Sequence, residues 1–131
     1  MTPQELLAAA MRLMQRPDAA TAGIWPRAAA LLARQAVELA MAGLWAAAPQ
    51  TAGLSGSSLR SQILCLTAYL DHDTAASAAY LIAALSHACH YHPYELAPTS
   101  AELSRWLDQA AQIVTQMQAT TAAFASQANH M

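Results

Sequence analysis

The chain has 131 residues and a formal net charge of −2; only 11% of its residues are charged, and all six basic ones are arginines. This composition excludes the dense basic face that non-specific binding to duplex DNA requires, whereas a focused contact between a few arginines and RNA stays open. A length of this order fits one domain, which we place over residues 1–131.

Neither a targeting segment nor a membrane span is expected. Glu5 and Arg12 interrupt the N-terminal apolar run, and the charge-free stretch 39–59 contains proline, glutamine and several small polar residues. Cys65 and Cys89 form no CxxC pair, which is typical of reduced thiols. We therefore expect a cytoplasmic protein without membrane contacts.

Apolar residues recur at spacings of three and four, which predicts an all-α fold of about five helices in an up-down bundle. The first predicted helix occupies residues 1–16, before Pro17, and the second runs from about Pro26 to Ala47. The third covers about Ser58 to Leu70, after a loop rich in glycine and serine.

The fourth predicted helix runs from about Thr74 to Tyr91 and contains no Asp, Glu or Arg, so we expect it to be central and buried on most sides. The fifth begins at the capping box "TSAE", from Thr99 to Glu102, and continues into the mid-120s. Residues 126–131 are expected to form a frayed tail.

The stretch "HACHYHPYEL" (87–96) contains three histidines and one cysteine and is the densest group of reactive side chains in the chain. A metal site is one interpretation, because His87 and His90 are three residues apart on a helix, but the zinc signature HExxH is absent. A second interpretation is structural, with histidines that hydrogen-bond near the end of a buried helix.

Acid–base chemistry on RNA is the third interpretation. Histidine takes up or releases a proton near neutral pH, and strand cleavage through the 2′-hydroxyl needs such groups beside positive charge at the phosphate. His90 and Arg60 are candidates to hold that phosphate, and Arg34 is a candidate for the rim of an RNA groove. The competing interpretation of Arg34 is a solvated pair with Glu38, four residues later.

"HACHYHPY" resembles the motif R-x4-H-x-Y of a toxin subgroup of HEPN domains, with His92 and Tyr94 at the histidine and tyrosine positions. His87 stands where that family has arginine. A second likeness is the segment "QAVE" in the second helix, which resembles the Gln-Ala-x-Glu of an early HEPN helix. HEPN domains are small all-α bundles, many of them RNases that need no metal or cofactor.

The resemblance implies a catalytic role for His92, His87 and Tyr94, with Tyr94 also the residue that a nucleotidyltransferase-type antitoxin modifies with AMP. It implies a homodimer in which two motifs face one groove, acting as an RNase-type toxin or as a relative that only binds RNA or a partner. The alternatives are a non-enzymatic interaction module with structural histidines and, third, a histidine-rich metal-binding bundle.

Overall fold

The computed structural model describes residues 1–15, 24–51, 53–90 and 96–129, and this part of the chain is all-α, as predicted. Its five α-helices are α1 (Pro3–Gln15), α2 (Trp25–Ala47), α3 (Leu59–Cys65), α4 (His72–Cys89) and α5 (Ser100–Asn129). Short 3₁₀ turns at Leu54–Gly56 and Leu66–Ala68 flank α3. In the described ranges, no helix is both long and apolar enough to cross a membrane.

The central helix is α2, not α4 as the sequence suggested. α1, α4 and α5 all pack on α2, and its buried residues include Val37, Met41 and Leu44. α4 buries the face that carries Leu81 and Leu85, while its opposite face, which includes Asp73 in the first turn, stays exposed. Alanine and serine dominate that opposite face, and leaving such small side chains in water forfeits little apolar burial.

Side-chain caps fix the starts of two helices, α4 and α5. Asp71 accepts a hydrogen bond from the backbone N–H of Thr74 over 3.1 Å, so α4 begins at His72, slightly earlier than predicted. The predicted capping box is confirmed: the N–H of Glu102 donates to Oγ1 of Thr99, and the N–H of Thr99 donates to Oε1 of Glu102, both over 3.1 Å.

The predicted third helix is shorter than expected, because the α-helix gives way to a 3₁₀ turn at Leu66. The segment is held from the side by polar contacts. Nε1 of Trp45, a residue that is 2% exposed, donates to Oε1 of Gln62 over 3.0 Å. The hydroxyl of Tyr69 donates to the carbonyl of Pro49 over 3.0 Å, and its ring meets that of Trp45 edge to face.

α5 extends farther than predicted. The structure has helix to Asn129, where the sequence suggested fraying from residue 126. Leu103, Ala110, Ile113 and Met117 of α5 are buried, at successive spacings of seven, three and four residues. A rise of about 1.5 Å per residue makes this helix roughly 45 Å long. Gln116, near its middle, accepts a hydrogen bond from the hydroxyl of Thr74 at the start of α4, and the last residues of α5 are exposed to solvent.

Candidate functional site

A partly open cleft of about 250 Å³ lies where α4 ends, and it is lined from three helices. α4 contributes His87 and His90, the first turn of α2 contributes Arg27, and the start of α5 contributes Glu102 and Trp106. The cleft therefore combines cationic or protonatable groups, one carboxylate and one aromatic ring in a single hollow.

The end of α4 places both histidines in the cleft. α4 ends at Cys89, and His90 is already extended, with ψ of 147°. Its N–H donates to the carbonyl of His87 over 3.3 Å. The side chains of His87 and His90 are solvent-exposed and are accessible to a ligand.

Arg27 is the cationic residue that sequence reasoning did not select for this site. It lies in the first turn of α2, just after Pro26. The N-terminal turn of a helix carries partial positive charge and disfavours a cation by about 0.3–1 kcal/mol. The first turn of α2 contains no acidic residue, so the position of Arg27 does not follow the preference of helix starts for negative charge.

The wall of the cleft on α5 is fixed by the capping box. Thr99 and Glu102 hold each other through their backbone N–H groups, and both line the cleft. Trp106 lies one turn farther along the same helix face and is partly buried against the core. The capping box thus holds the Glu102 carboxylate at the cleft wall, one turn from the indole of Trp106.

Arg34 and Arg60 do not line this cleft. Nε of Arg34 lies 3.3 Å from Oε1 of Glu38, the pair expected from their spacing. The same two residues act on Cys89: burial raises the pKa of the Cys89 thiol, Arg34 opposes that rise and Glu38 adds to it. Arg60 is exposed on α3, and the described residues that line the cleft do not include it.

The predicted catalytic residues His92 and Tyr94 lie outside the described residues. In the sequence they stand between His90 and Leu96, both of which line the cleft. As for a metal centre, within 1–15, 24–51, 53–90 and 96–129 no three His, Cys, Asp or Glu side chains are placed to share an ion.

A larger hollow of about 410 Å³ lies at the opposite side of the α3 segment. Its lining includes Thr51, Ser57, Cys65 and Tyr69, and no charged side chain belongs to the described part of that lining. A phosphate or carboxylate ligand would find no counter-charge there. The smaller cleft, with Arg27 and two histidines, is therefore the better candidate for chemistry on an anion.

Comparison of the chain with models of protein families, with curated proteins and with solved structures finds no match in any of the three.

Proposed function

We propose that this chain is a HEPN-like domain that binds RNA in the cleft at the end of α4 and cleaves it without a metal. The observation that carries the proposal is the position of the motif. His90 and Leu96 both line the cleft, and they enclose His92 and Tyr94 in the sequence. The described residues on both sides of His92 and Tyr94 therefore line one hollow.

The electrostatics of the cleft support an anionic ligand. Among the described lining residues, Arg27 carries a positive charge and Glu102 a negative one, and each protonated histidine adds one positive charge. The cleft also receives the N-terminus of α5, whose first N–H groups favour negative charge. The groups together suit one phosphate with its neighbouring ribose and base.

The cleavage step needs one proton removed and one supplied. The 2′-oxygen attacks the adjacent phosphorus as its proton passes to a base, and the bond from phosphorus to the 5′-oxygen breaks as that oxygen gains a proton. The products are a 2′,3′-cyclic phosphate and a 5′-hydroxyl. His92 serves as one of these acid–base groups, and Tyr94 orients the substrate.

His87 and His90 stabilise the charge that builds on the phosphate. The family motif uses arginine at the position of His87, and Arg27 brings a guanidinium to the same cleft from another helix. We propose that Arg27 substitutes for the missing arginine, because a guanidinium offers the planar set of donors that a phosphate accepts and an imidazole does not.

The test is cleavage of a mixed pool of RNAs by the purified chain in the presence of a chelator. His92→Ala abolishes cleavage, and His72→Ala is the matched control. His72 is an exposed histidine at the other end of α4, roughly 22 Å from His87 along the helix axis. Equal cleavage by the wild type and His92→Ala, or no cleavage by the wild type, contradicts the catalytic role.

The resemblance also proposes partners. One is a nucleotidyltransferase-type antitoxin that transfers AMP to Tyr94. Joint expression with such an enzyme, followed by mass spectrometry of the intact chain, shows one added AMP group in the wild type and none in Tyr94→Phe. An unmodified wild-type chain under those conditions contradicts this part of the proposal.

A second candidate function is a helical interaction module, favoured by the outer face of α4. This face carries Ala76, Ser77, Tyr80 and Ala83, and Tyr80 is 65% exposed. The small side chains around Tyr80 allow a second copy to approach closely, so two chains can pack through this face and form the homodimer that the resemblance implies. In this function the histidines have a structural role only.

Measuring the molecular mass in solution distinguishes a monomer from a homodimer. If α4 mediates the dimer, Tyr80→Asp converts it to a monomer, because two carboxylates then meet across the symmetry axis. Tyr69→Phe removes a hydroxyl from the protein's own interior contacts and leaves the mass unchanged. A monomeric wild type removes this support for the interaction module.

A further inference from the structure

We infer that Glu102 and Trp106 select an unpaired guanine next to the phosphate bound in the cleft. The inference rests on the proposed RNA binding and adds a specificity to it. Both residues line the cleft and lie one turn apart on the same face of α5. One supplies an aromatic face, and the other supplies a carboxylate beside that face.

Trp106 is suited to stacking. An indole ring that is partly exposed in a hollow offers a flat apolar surface, and a base of single-stranded RNA stacks on such a surface whatever its identity. Leu96, Ala97 and Pro98 also line the cleft and are apolar. Stacking alone binds all four bases and does not choose among them.

Glu102 supplies the selectivity for guanine. Oε1 of its carboxylate accepts the N–H of Thr99, which fixes the orientation of the group at the cleft wall. A carboxylate accepts hydrogen bonds and donates none. Guanine presents two adjacent donors, N1–H and the N2 amino group, to one carboxylate. Uracil presents a single donor between two carbonyl oxygens, which the negative charge of Glu102 repels.

The matched variant is Glu102→Gln, because this substitution changes the hydrogen-bonding groups at the cleft and keeps the helix cap. Glutamine serves in a capping box as glutamate does, so its amide oxygen still accepts the N–H of Thr99 and α5 still begins in place. The second carboxylate oxygen becomes an NH₂ group, which donates instead of accepting. The variant therefore keeps the start of α5 and loses the pair of acceptors that binds the two donors of guanine.

The experiment compares fluorescent uridine oligonucleotides of about nine nucleotides, a length within the usual single-strand site size. One carries a single central guanosine, one carries inosine there and one is all uridine. Their riboses are 2′-O-methylated, so the wild type cannot cleave them. The wild type binds the guanosine oligonucleotide about tenfold more tightly than the uridine one, as a good bidentate contact provides. Inosine, which lacks the amino group, falls between them.

Substitutions at Glu102 and Trp106 test what each residue contributes to binding and to the preference for guanosine. Glu102→Gln binds the guanosine and uridine oligonucleotides equally, and Trp106→Leu weakens both while Trp106→Phe retains most of the binding. Trp25→Phe is the control, since Trp25 is half-buried and does not line the cleft. Circular dichroism melting confirms that each variant is folded.

Three results overturn the inference. If the wild type binds the guanosine and uridine oligonucleotides equally and Arg27→Gln weakens both, the cleft does not select guanine. The proposed RNA binding at the cleft is then still supported. A guanine preference that survives in Glu102→Gln removes the role of Glu102. Failure of every oligonucleotide to bind the wild type removes the proposed function together with the inference.

Discussion

Arg27 in the first turn of α2 and His87 in the last turn of α4 line the same cleft. The packing of α4 on α2 creates this relationship, because neither residue approaches the other along the chain. In the proposed function, Arg27 supplies from a different helix the guanidinium that the HEPN-like motif lacks at His87. The relationship also distinguishes two arginines that look alike in the sequence, Arg27 and Arg60.

Arg27→Gln weakens RNA binding, and Arg60→Gln does not. A side chain that neutralises one phosphate of a single strand contributes about 0.7 to the slope of log affinity against log salt concentration, so that slope falls by this amount in Arg27→Gln. Fluorescence anisotropy with an unstructured oligonucleotide at several salt concentrations measures both variants. A slope that falls in Arg60→Gln and not in Arg27→Gln assigns the phosphate to α3 instead.

The local features of this end of the molecule were predictable from the sequence. The capping box from Thr99 to Glu102 and the buried stripe of α5 follow from short spacings, which depend on helix geometry alone. The all-α fold follows from the same periodicity. The pairing of Arg34 with Glu38 was likewise expected from a separation of four residues.

The composition of the cleft was not predictable in the same way. Arg27 meets His87 only after α2 and α4 have packed, and periodicity does not encode which turn of one helix lies beside which turn of another. The absence of charge on α4 predicted burial on most sides. Its small residues allow an exposed face instead, because alanine carries too little apolar area to require a cover.

The hydrogen bond between Trp45 and Gln62 supports the α3 segment from the core. Gln62→Leu leaves the buried indole N–H without its acceptor, and we expect the free energy of unfolding to fall by about 1–3 kcal/mol. Urea unfolding measures the change. Gln35→Leu, at an exposed position of α2, changes it by less than about 0.5 kcal/mol.

A double-substitution cycle isolates that bond. Trp45→Phe removes the donor, so adding Gln62→Leu to it has a smaller effect than Gln62→Leu has in the wild type. Equal effects in both backgrounds would mean that Gln62 acts through its other bonds, to the carbonyls of Ser55 and Ser57.

The start of α4 makes stability depend on pH. Hydrogen bonds from the side chain and then the backbone of Thr74 lower the pKa of Asp71 below its usual 3.8. A carboxylate with a lowered pKa in the folded state stabilises that state above its unfolded pKa, and the contribution is lost as the pH falls through the folded value. The melting temperature of the wild type therefore drops as the solution is acidified from about pH 5 to about pH 2.

Asp71→Asn reports on that contribution. Asparagine caps a helix about as well as aspartate but does not titrate, so the variant melts near the wild type at neutral pH and loses less on acidification. Asp71→Ala lacks the acceptor and melts lower than the wild type at neutral pH. Equal acid sensitivity of the wild type and Asp71→Asn would assign the loss to other carboxylates.

Cys89 connects the Arg34–Glu38 pair to the last turn of α4. Burial is the main cause of its raised pKa; Arg34 lowers the pKa and Glu38 raises it. In a Cys65→Ser background, Glu38→Gln moves the pH midpoint of alkylation by iodoacetamide downwards, because the nearby negative charge is gone. Arg34→Gln moves that midpoint upwards, because the variant lacks the positive charge that lowers the pKa of the Cys89 thiol. The midpoint, unlike the rate at one pH, separates the pKa of the thiol from its accessibility. If folding creates the difference, the three chains have the same alkylation midpoint in denaturant. Shifts of equal sign in the two folded variants would contradict opposing effects of Arg34 and Glu38 on the pKa of Cys89.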